Sequence, residues 1–386
     1  VKLRHDLHLA YCTNIHRGET WAETFAALEQ YTLAVRNRVC PGKPYAIGLR
    51  LSDLASRELS NPKVLADFQR WLDRNRCYVF TINGFPFGQF HGRRVKEQVY
   101  RPDWTSIDRV NYTNRLFDIL ARLLPEGMEG SVSTLPGSFK EFITSEDQAR
   151  AIRENIFQTV THIASLCGKT GRKLHLGLEP EPLGWFETTD ETVRFFERLR
   201  EEHSNDGQLG ELLGVNYDTC HLAVEFENPA ESFGRLKQHG IKISKLHLSS
   251  ALKLRPTPKG TAALAAFADD IYLHQVVARN LDGAINRFKD LDLALAETGS
   301  RAEEWRVHFH IPLHSPPGEW FDHTTDHLLG VLDILQKDPH LCSHLEMETY
   351  TWEVMPAELK GRSVVDQLAS EYEWCLGALR ARGLAD

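Results

Sequence analysis

Strand-like and helix-like segments alternate along almost the whole chain, and that alternation decides which fold class is open to it. Apolar runs of strand length appear as LHLAYCTNI (7–15), YAIGLRLS (45–52), CYVFTING (77–84) and GSVSTLPGS (130–138). They continue as KLHLGLEPE (173–181), LGVNYD (213–218), KISKLHLSS (242–250) and CSHLEMETY (342–350). Between them the apolar residues take helical spacing. Trp21, Phe25 and Leu28 fall at i, i+4 and i+7, and Asn61-Pro62 gives a cap with proline at the first helical position. Ser145 and Gln148 form a capping-box pattern, and Val364, Val365, Leu368, Tyr372, Cys375, Leu376 and Leu379 mark a closing helix. Eight βα units in series predict an α/β chain folded as a (β/α)8 TIM barrel, a single domain over 1–386.

One stretch breaks the rhythm. About ninety residues, 251–341, separate the seventh and eighth strand candidates. They hold an Ala/Leu-rich helical stretch, a second helical stretch near 281–297, and a ninth strand-like run, WRVHFHIPLH (305–314). An insertion between strands 7 and 8 is expected to lie over the C-terminal face, because barrel function resides in the βα loops.

Composition narrows the partners. The formal net charge of −8 argues against an extended nucleic-acid surface, although GRRVK at 92–96 is a local basic patch. No run of eighteen apolar residues occurs, so no membrane insertion is expected, and the N-terminus lacks the apolar stretch of a signal peptide. Seven dispersed cysteines with no CxxC suggest reduced thiols and a cytoplasmic setting. A small-molecule substrate is the expected partner; oligomeric state is not encoded in any pattern visible here.

Acids and histidines gather at the ends of the last four barrel-strand candidates. Glu179 and Glu181 close an apolar run, and Pro180 and Pro182 delay the next helix, which weakens their reading as helix caps. Asp218 and His221 form D-x-x-H, whose i, i+3 spacing lets both address one point; the plainer reading is an N-cap aspartate with a buried histidine nearby. His247 sits within KLHLSS, facing opposite to Leu246 and Leu248. Glu346 and Glu348 alternate with Leu345 and Met347 and so share the interior face, where two ionised carboxylates are costly without a cation. Glu348, nearer the strand's C-terminal end, is the better ligand candidate. His308 and His310 share a face by the same period, with His314 beyond; His310 is the strongest of the three as an additional ligand or substrate contact, against a solvated strand. Carboxylates and imidazoles converging at the strand tips would make a mixed O/N site for a divalent metal ion.

The loop after the third strand concentrates Asn83, Phe85, Phe87, His91, Arg93, Lys96, Tyr100 and Trp104, a mixture suited to an organic ligand with hydroxyls or an anionic group. Asn14 and His16 follow the first strand onto the same rim, and Trp185 joins the candidate substrate contacts. The chain lacks Walker A, G-x-G-x-x-G and G-x-S-x-G patterns.

The order Glu, Asp-x-x-His, His, Glu at the ends of strands five to eight resembles the xylose isomerase-like TIM-barrel superfamily of sugar isomerases, ketose 3-epimerases and endonuclease IV-type enzymes. The resemblance implies that Glu179, Asp218, His247 and Glu348 hold Mn²⁺, Mg²⁺ or Zn²⁺, and that His221 is the histidine commonly following the aspartate. It also implies catalytic roles for Glu179 and Glu348, as base and acid in the isomerisation or epimerisation of a polyhydroxylated carbonyl compound. TINGFPFGQFHG, VKEQVYRPDW and STLPGS further resemble the metabolite-traffic EboE family, tied to secondary-metabolite handling. That likeness implies a secondary-metabolite precursor as ligand, or a non-catalytic binding protein on the same barrel. An endonuclease IV-like phosphodiesterase is the remaining alternative. HLSSALK departs from the H-x-x-D often found on the seventh strand, and HFHIPL could return His310 in compensation.

Overall fold

The computed structural model describes residues 1–92, 94–204, 207–268, 271–297, 301–351 and 363–386; Arg93 lies outside them. Eight parallel strands form one sheet: β1 (His8–Tyr11), β2 (Tyr45–Arg50), β3 (Cys77–Asn83), β4 (Glu129–Thr134), β5 (Lys173–Leu178), β6 (Leu213–Asp218), β7 (Lys242–Leu248) and, last in the chain, β13 (His344–Met347). Their order, β1-β13-β7-β6-β5-β4-β3-β2, brings β1 and β2 to the two free edges, and a parallel bridge between Cys12 and Gly48 joins those edges. The sheet is therefore a nearly closed TIM barrel with helices around it.

The strand period explains the two faces. Leu174, Leu176 and Leu178 of β5 are buried in the main apolar core, each contributing roughly 1.5–3 kcal/mol by removal from water. The alternate positions face a polar lumen whose members satisfy one another. His175 Nδ1 lies 2.7 Å from Ser244 Oγ, His344 Nδ1 lies 2.7 Å from Ser131 Oγ, and Thr81 Oγ1 lies 2.8 Å from that same serine. Gly48 faces the lumen because nothing larger fits: a Cβ there would stand 1.9 Å from Glu346 Oε1.

The outer helices follow their sequence signals. Asn61 caps the helix Pro62–Arg74, which buries Leu65, Phe68, Trp71 and Leu72. Ser145 and Gln148 close a capping box on Glu146–Thr170, and Gly171 ends it at φ 68°. Among the described residues no helix is long and apolar enough to cross a membrane.

A second, antiparallel sheet is built between β7 and β13. Its strands are β8 (Ala251–Leu254), β9 (Val276–Asn280), β10 (Ile285–Phe288), β11 (Ala302–His310) and β12 (Asp322–His323), in the order β10-β9-β11-β8-β12. Leu252, Leu254, Val276, Trp305, Val307 and Phe309 form its separate core. The segment near 281–297 is not the single helical stretch that its apolar spacing suggests. Gly283, at φ 83°, turns β9 into β10, so only Leu291–Ala296 is helical. Asp282-Gly283 is a hairpin-turn pair that overrides the helical spacing of its neighbours. The rest of the segment 251–341 includes the helix Thr325–Lys337, which packs on the helices Pro229–Gln238 and Thr219–Val224 and leads into β13.

Candidate metal centre

Strand register brings the acids and histidines to one level. His247 is paired with Asp218 of β6 on one side and with Glu346 of β13 on the other. Glu348 N donates to Leu248 O at 3.2 Å, and Glu179 N donates to Thr134 O at 3.0 Å, so both residues continue their strands by one step. The result is a buried cluster of Glu179, Asp218, His247 and Glu348.

His247 Nδ1 faces three carboxylate oxygens: Glu179 Oε1 at 3.0 Å, Glu348 Oε2 at 3.3 Å and Asp218 Oδ2 at 3.4 Å. These separations fit the edges of a coordination shell, about 3.0–3.4 Å for bonds near 2.1 Å. Glu179 Oε2 and Asp218 Oδ2 are buried without a hydrogen-bond partner among the described residues. Three carboxyl groups around a single imidazole leave a buried excess of negative charge, which a divalent cation would neutralise. Burial opposes a charge on His247, but Glu348 and Glu179 outweigh it and hold its pKa well above the usual range. Burial likewise opposes ionisation of Asp218, yet His221 and His247 hold its pKa well below the usual range.

Asp218 serves two roles, one with each oxygen. Oδ1 accepts from Cys220 N at 2.7 Å, His221 N at 3.1 Å and Ser249 Oγ at 2.5 Å, capping the helix Thr219–Val224. Oδ2 is left for the cluster. Glu348 is divided similarly: Asn14 Nδ2 donates to its Oε1 at 2.7 Å and Asn83 Nδ2 at 3.3 Å, while Oε2 faces His247.

Glu346 lies one layer deeper. Its Oε2 is 2.8 Å from His247 Nε2 and accepts from Lys245 Nζ at 2.6 Å. It orients the imidazole from behind, as carboxylates commonly do for metal-binding histidines. Burial alone would raise its pKa, but Lys245 and His247 bring it down to about 2.

The cluster opens into a partly enclosed cavity. Asn14, Asn83, Glu181, His221 and Lys96 line it, with Lys96 Nζ paired at 2.5 Å to Asp290 beside the second sheet. Burial and the neighbouring Glu179 push the Glu181 pKa well above the carboxylate range. From the second sheet and its connections come Tyr272, Gln275 and His308. His310 stands just behind, with Nδ1 at 3.0 Å from the Glu348 backbone oxygen.

Other candidates lie elsewhere. His91 supports the wall from outside: Nδ1 is 2.7 Å from the Tyr272 hydroxyl and Nε2 is 2.5 Å from the Asn14 carbonyl. His16 is not brought to the cavity. The turn Thr13–Ile15 carries it onto Tyr31, ring centroids 4.6 Å apart, where burial lowers its pKa to about 3. Phe87 turns away to Tyr112, and Trp185 edges a separate groove with Arg153 and Arg198.

Several participants escaped the sequence reading, among them Lys245 behind His247 and Tyr350, Tyr272, Gln275 and Phe90 in the cavity wall. Lys245 and Tyr350 each lie two residues from a candidate on the same strand or its continuation, so the period-2 argument would have found them. Tyr272 and Gln275 precede β9 in irregular chain, where no periodicity fixes a side chain's direction.

No protein-family model matches the sequence, and no curated protein matches it. Solved structures do match in three dimensions. A D-tagatose 3-epimerase-like protein is similar at a TM-score of 0.52 and 13% identity, over 98% of this chain and 98% of its own. The structure described as IOLI protein with a binding zinc atom has a TM-score of 0.52 and 13% identity, over 97% of this chain and 99% of its own. An L-ribulose 3-epimerase has a TM-score of 0.51 and 12% identity, over 98% and 96%. At such identities the likeness carries the fold alone.

Proposed function

We propose that the cavity is the site of a metal-dependent isomerase or epimerase acting on a small polyhydroxylated carbonyl compound. The observation that carries this reading is the convergence of three carboxylate oxygens on His247 Nδ1 at 3.0–3.4 Å, one of them Asp218 Oδ2, with Glu179 Oε2 beside them lacking a hydrogen-bond partner among the described residues. The printed descriptions of two structural neighbours as a 3-epimerase and a 3-epimerase-like protein, and of a third as zinc-bound, are consistent with it.

Glu179, Asp218, His247 and Glu348 would hold the ion. A bound divalent cation would polarise adjacent carbonyl and hydroxyl oxygens of a ligand and so acidify the α-carbon proton. Glu179 and Glu348 supply the two carboxyl groups that would exchange protons with the substrate as base and acid. Asn14 and Asn83 fix the Glu348 carboxyl by donating to its Oε1. The aromatic wall of Phe85, Phe90 and Tyr350 excludes water and can pack against a carbon skeleton.

A binding protein without turnover is the second reading. The segments that resemble the EboE family supply Asn83, Phe85, Phe90, Val95 and Tyr100 to the cavity wall, which ties that likeness to ligand contact. A secondary-metabolite precursor is the corresponding ligand class.

The test combines elemental analysis with proton exchange. The protein is expected to carry a divalent ion that Glu348→Gln loses, together with exchange of the α-carbon proton of candidate ketoses in D2O. A metal-replete and fully active Glu348→Gln protein would refute the reading. Bound metal and bound ligand with no exchange would favour the binding protein instead.

A further inference from the structure

The cavity changes character two residues beyond its polar floor. Asn83 ends β3 and donates to Glu348 Oε1; Phe85 follows it into the lining. Glu348 faces His247, and Tyr350 follows it into the lining in the same way. Further out, Phe90, Val95 and Tyr272 form a buried apolar cluster, with Val99 and Tyr350 packed against it, and all five line the cavity. They come from three separate segments: the loop after β3, the connection before β9 and the continuation of β13.

This wall is braced by its own contacts. Val95 N and Lys96 N both donate to the Ile271 carbonyl at 3.0 Å, which ties two of the segments together. The rings of Tyr272 and Tyr350 meet edge to face with centroids 5.5 Å apart, and the Tyr272 hydroxyl is bonded to His91 Nδ1 at 2.7 Å. The charge at the rim is balanced. Lys96 is the one lysine or arginine among the described residues of the lining, and its Nζ is 2.5 Å from Asp290 Oδ2. Asp290 is fixed in turn, because its Oδ1 accepts from His274 N at 3.0 Å and Leu291 N at 2.9 Å. A phosphate or carboxylate would therefore meet a lysine already paired with an acid.

We infer that the ligand of this cavity is a two-part molecule: a polyhydroxylated carbonyl head on the polar floor, carrying an uncharged aromatic substituent that lies against the wall of Phe85, Phe90, Val99 and Tyr350. A bare sugar long enough to reach that wall would turn its outer hydroxyls to apolar side chains, where each loses water without gaining a partner. A sugar phosphate would bring a charge that the paired Lys96 does not answer. An aromatic ring gains twice, by leaving water and by meeting the edges and faces of the wall rings. The inference rests on the proposed site for the head of the ligand and on the wall alone for its tail.

The experiment compares ketoses that share a head and differ in the tail. D-fructose and D-tagatose, each as the free sugar, the 6-O-benzyl ether and the 6-phosphate, are titrated into the full chain by calorimetry. In at least one series the benzyl ether is expected to bind about 10–100-fold tighter than the free sugar, and the phosphate no tighter than the free sugar. Val99→Asn and Phe85→Ser, each checked for folding by circular dichroism, should reduce that preference at least about threefold. Equal affinities for ether and free sugar, tighter binding of the phosphate, or no measurable binding of either ether would overturn the inference; the wild-type titrations decide this without any variant. A benzyl preference in a protein that holds no metal ion and exchanges no α-carbon proton would keep the tail site and remove the isomerase reading. Metal-dependent exchange on a free ketose with no benzyl preference would do the reverse.

Discussion

The Nε2 of His247 lies 2.8 Å from Glu346 Oε2, on the ring edge opposite the three carboxylates that face Nδ1. The imidazole thus stands between one carboxylate that orients it and three that surround the candidate ion position. Glu346→Gln keeps the shape and removes the charge. Metal affinity is expected to fall about 10–100-fold while the number of ions bound at saturation stays the same, as read by competition with a chromophoric chelator.

Gly48 leaves room for that same glutamate. Gly48→Ala would place a Cβ 1.9 Å from Glu346 Oε1 and 2.7 Å from the Tyr11 carbonyl. Overpacking of this kind is expected to cost about 1–3 kcal/mol, seen as a lower urea midpoint. It should also weaken metal binding, because the Glu346 carboxyl must shift from behind His247. Unchanged affinity in a destabilised protein would separate the two effects and reject the orienting role.

A different acid should set a pH dependence of stability. Glu371 is buried on the helix Val364–Arg380 and accepts from Thr349 Oγ1 at 2.7 Å and Leu313 N at 3.1 Å. Burial pushes its pKa from 4.5 up to about 7, against the pull of those two bonds. Between these values the folded state keeps a proton that the unfolded chain has released, so stability falls as pH rises through that window. The loss is on the order of 3 kcal/mol, present in full above the folded pKa. Urea unfolding of chelator-treated protein at about pH 5 and about pH 8 should show a smaller drop for Glu371→Gln than for the wild type.

Arg109 holds the loop that forms one cavity wall. Its Nε donates to the Pro102 carbonyl at 2.8 Å, and its Nη1 donates to the Gly84 and Phe85 carbonyls at 2.7 and 3.0 Å, which clasps both ends of that loop. Arg109→Met is expected to destabilise the chain by roughly 3 kcal/mol through the stranded acceptors. Limited proteolysis should then cut first within 84–102; cleavage elsewhere would show that the clasp is not what orders the loop.

The barrel was legible because a parallel strand covered by helices reads as an apolar run, as in LGVNYD and KISKLHLSS. Side chains on those strands were legible too: period 2 puts His247, Glu346 and Glu348 inside, and the last step separates Glu348 at the mouth from Glu346 below it. Past the strand ends, period 2 no longer fixes side-chain direction. His16 follows Cys12 through a short 3-10 turn, Thr13–Ile15, and that turn sends it toward Tyr31. Helical spacing around 281–297 was likewise misleading, because a two-residue turn signal at Asp282-Gly283 decides the local chain direction. Gln275 and Tyr272 carried no readable signal, since their orientation is set by the sheet they enter and the cavity they close.

The second sheet has a bearing on how the chain assembles. β13 must pair with β7 across roughly a hundred residues, where an ordinary crossover spans about thirty, yet loop-closure entropy grows so slowly that the difference is only about 1 kcal/mol. The intervening strands close on their own core of Trp305, Val307 and Phe309 and pack Ala251 and Val277 on Cys220 and Val224 of the barrel, which shortens that span. The architecture thereby separates two evolutionary tasks. Barrel strands can keep the four clustered side chains in register while the part of the cavity wall formed by Tyr272, Gln275 and His308 is rebuilt, residue by residue, in a segment the scaffold can lengthen at little thermodynamic penalty.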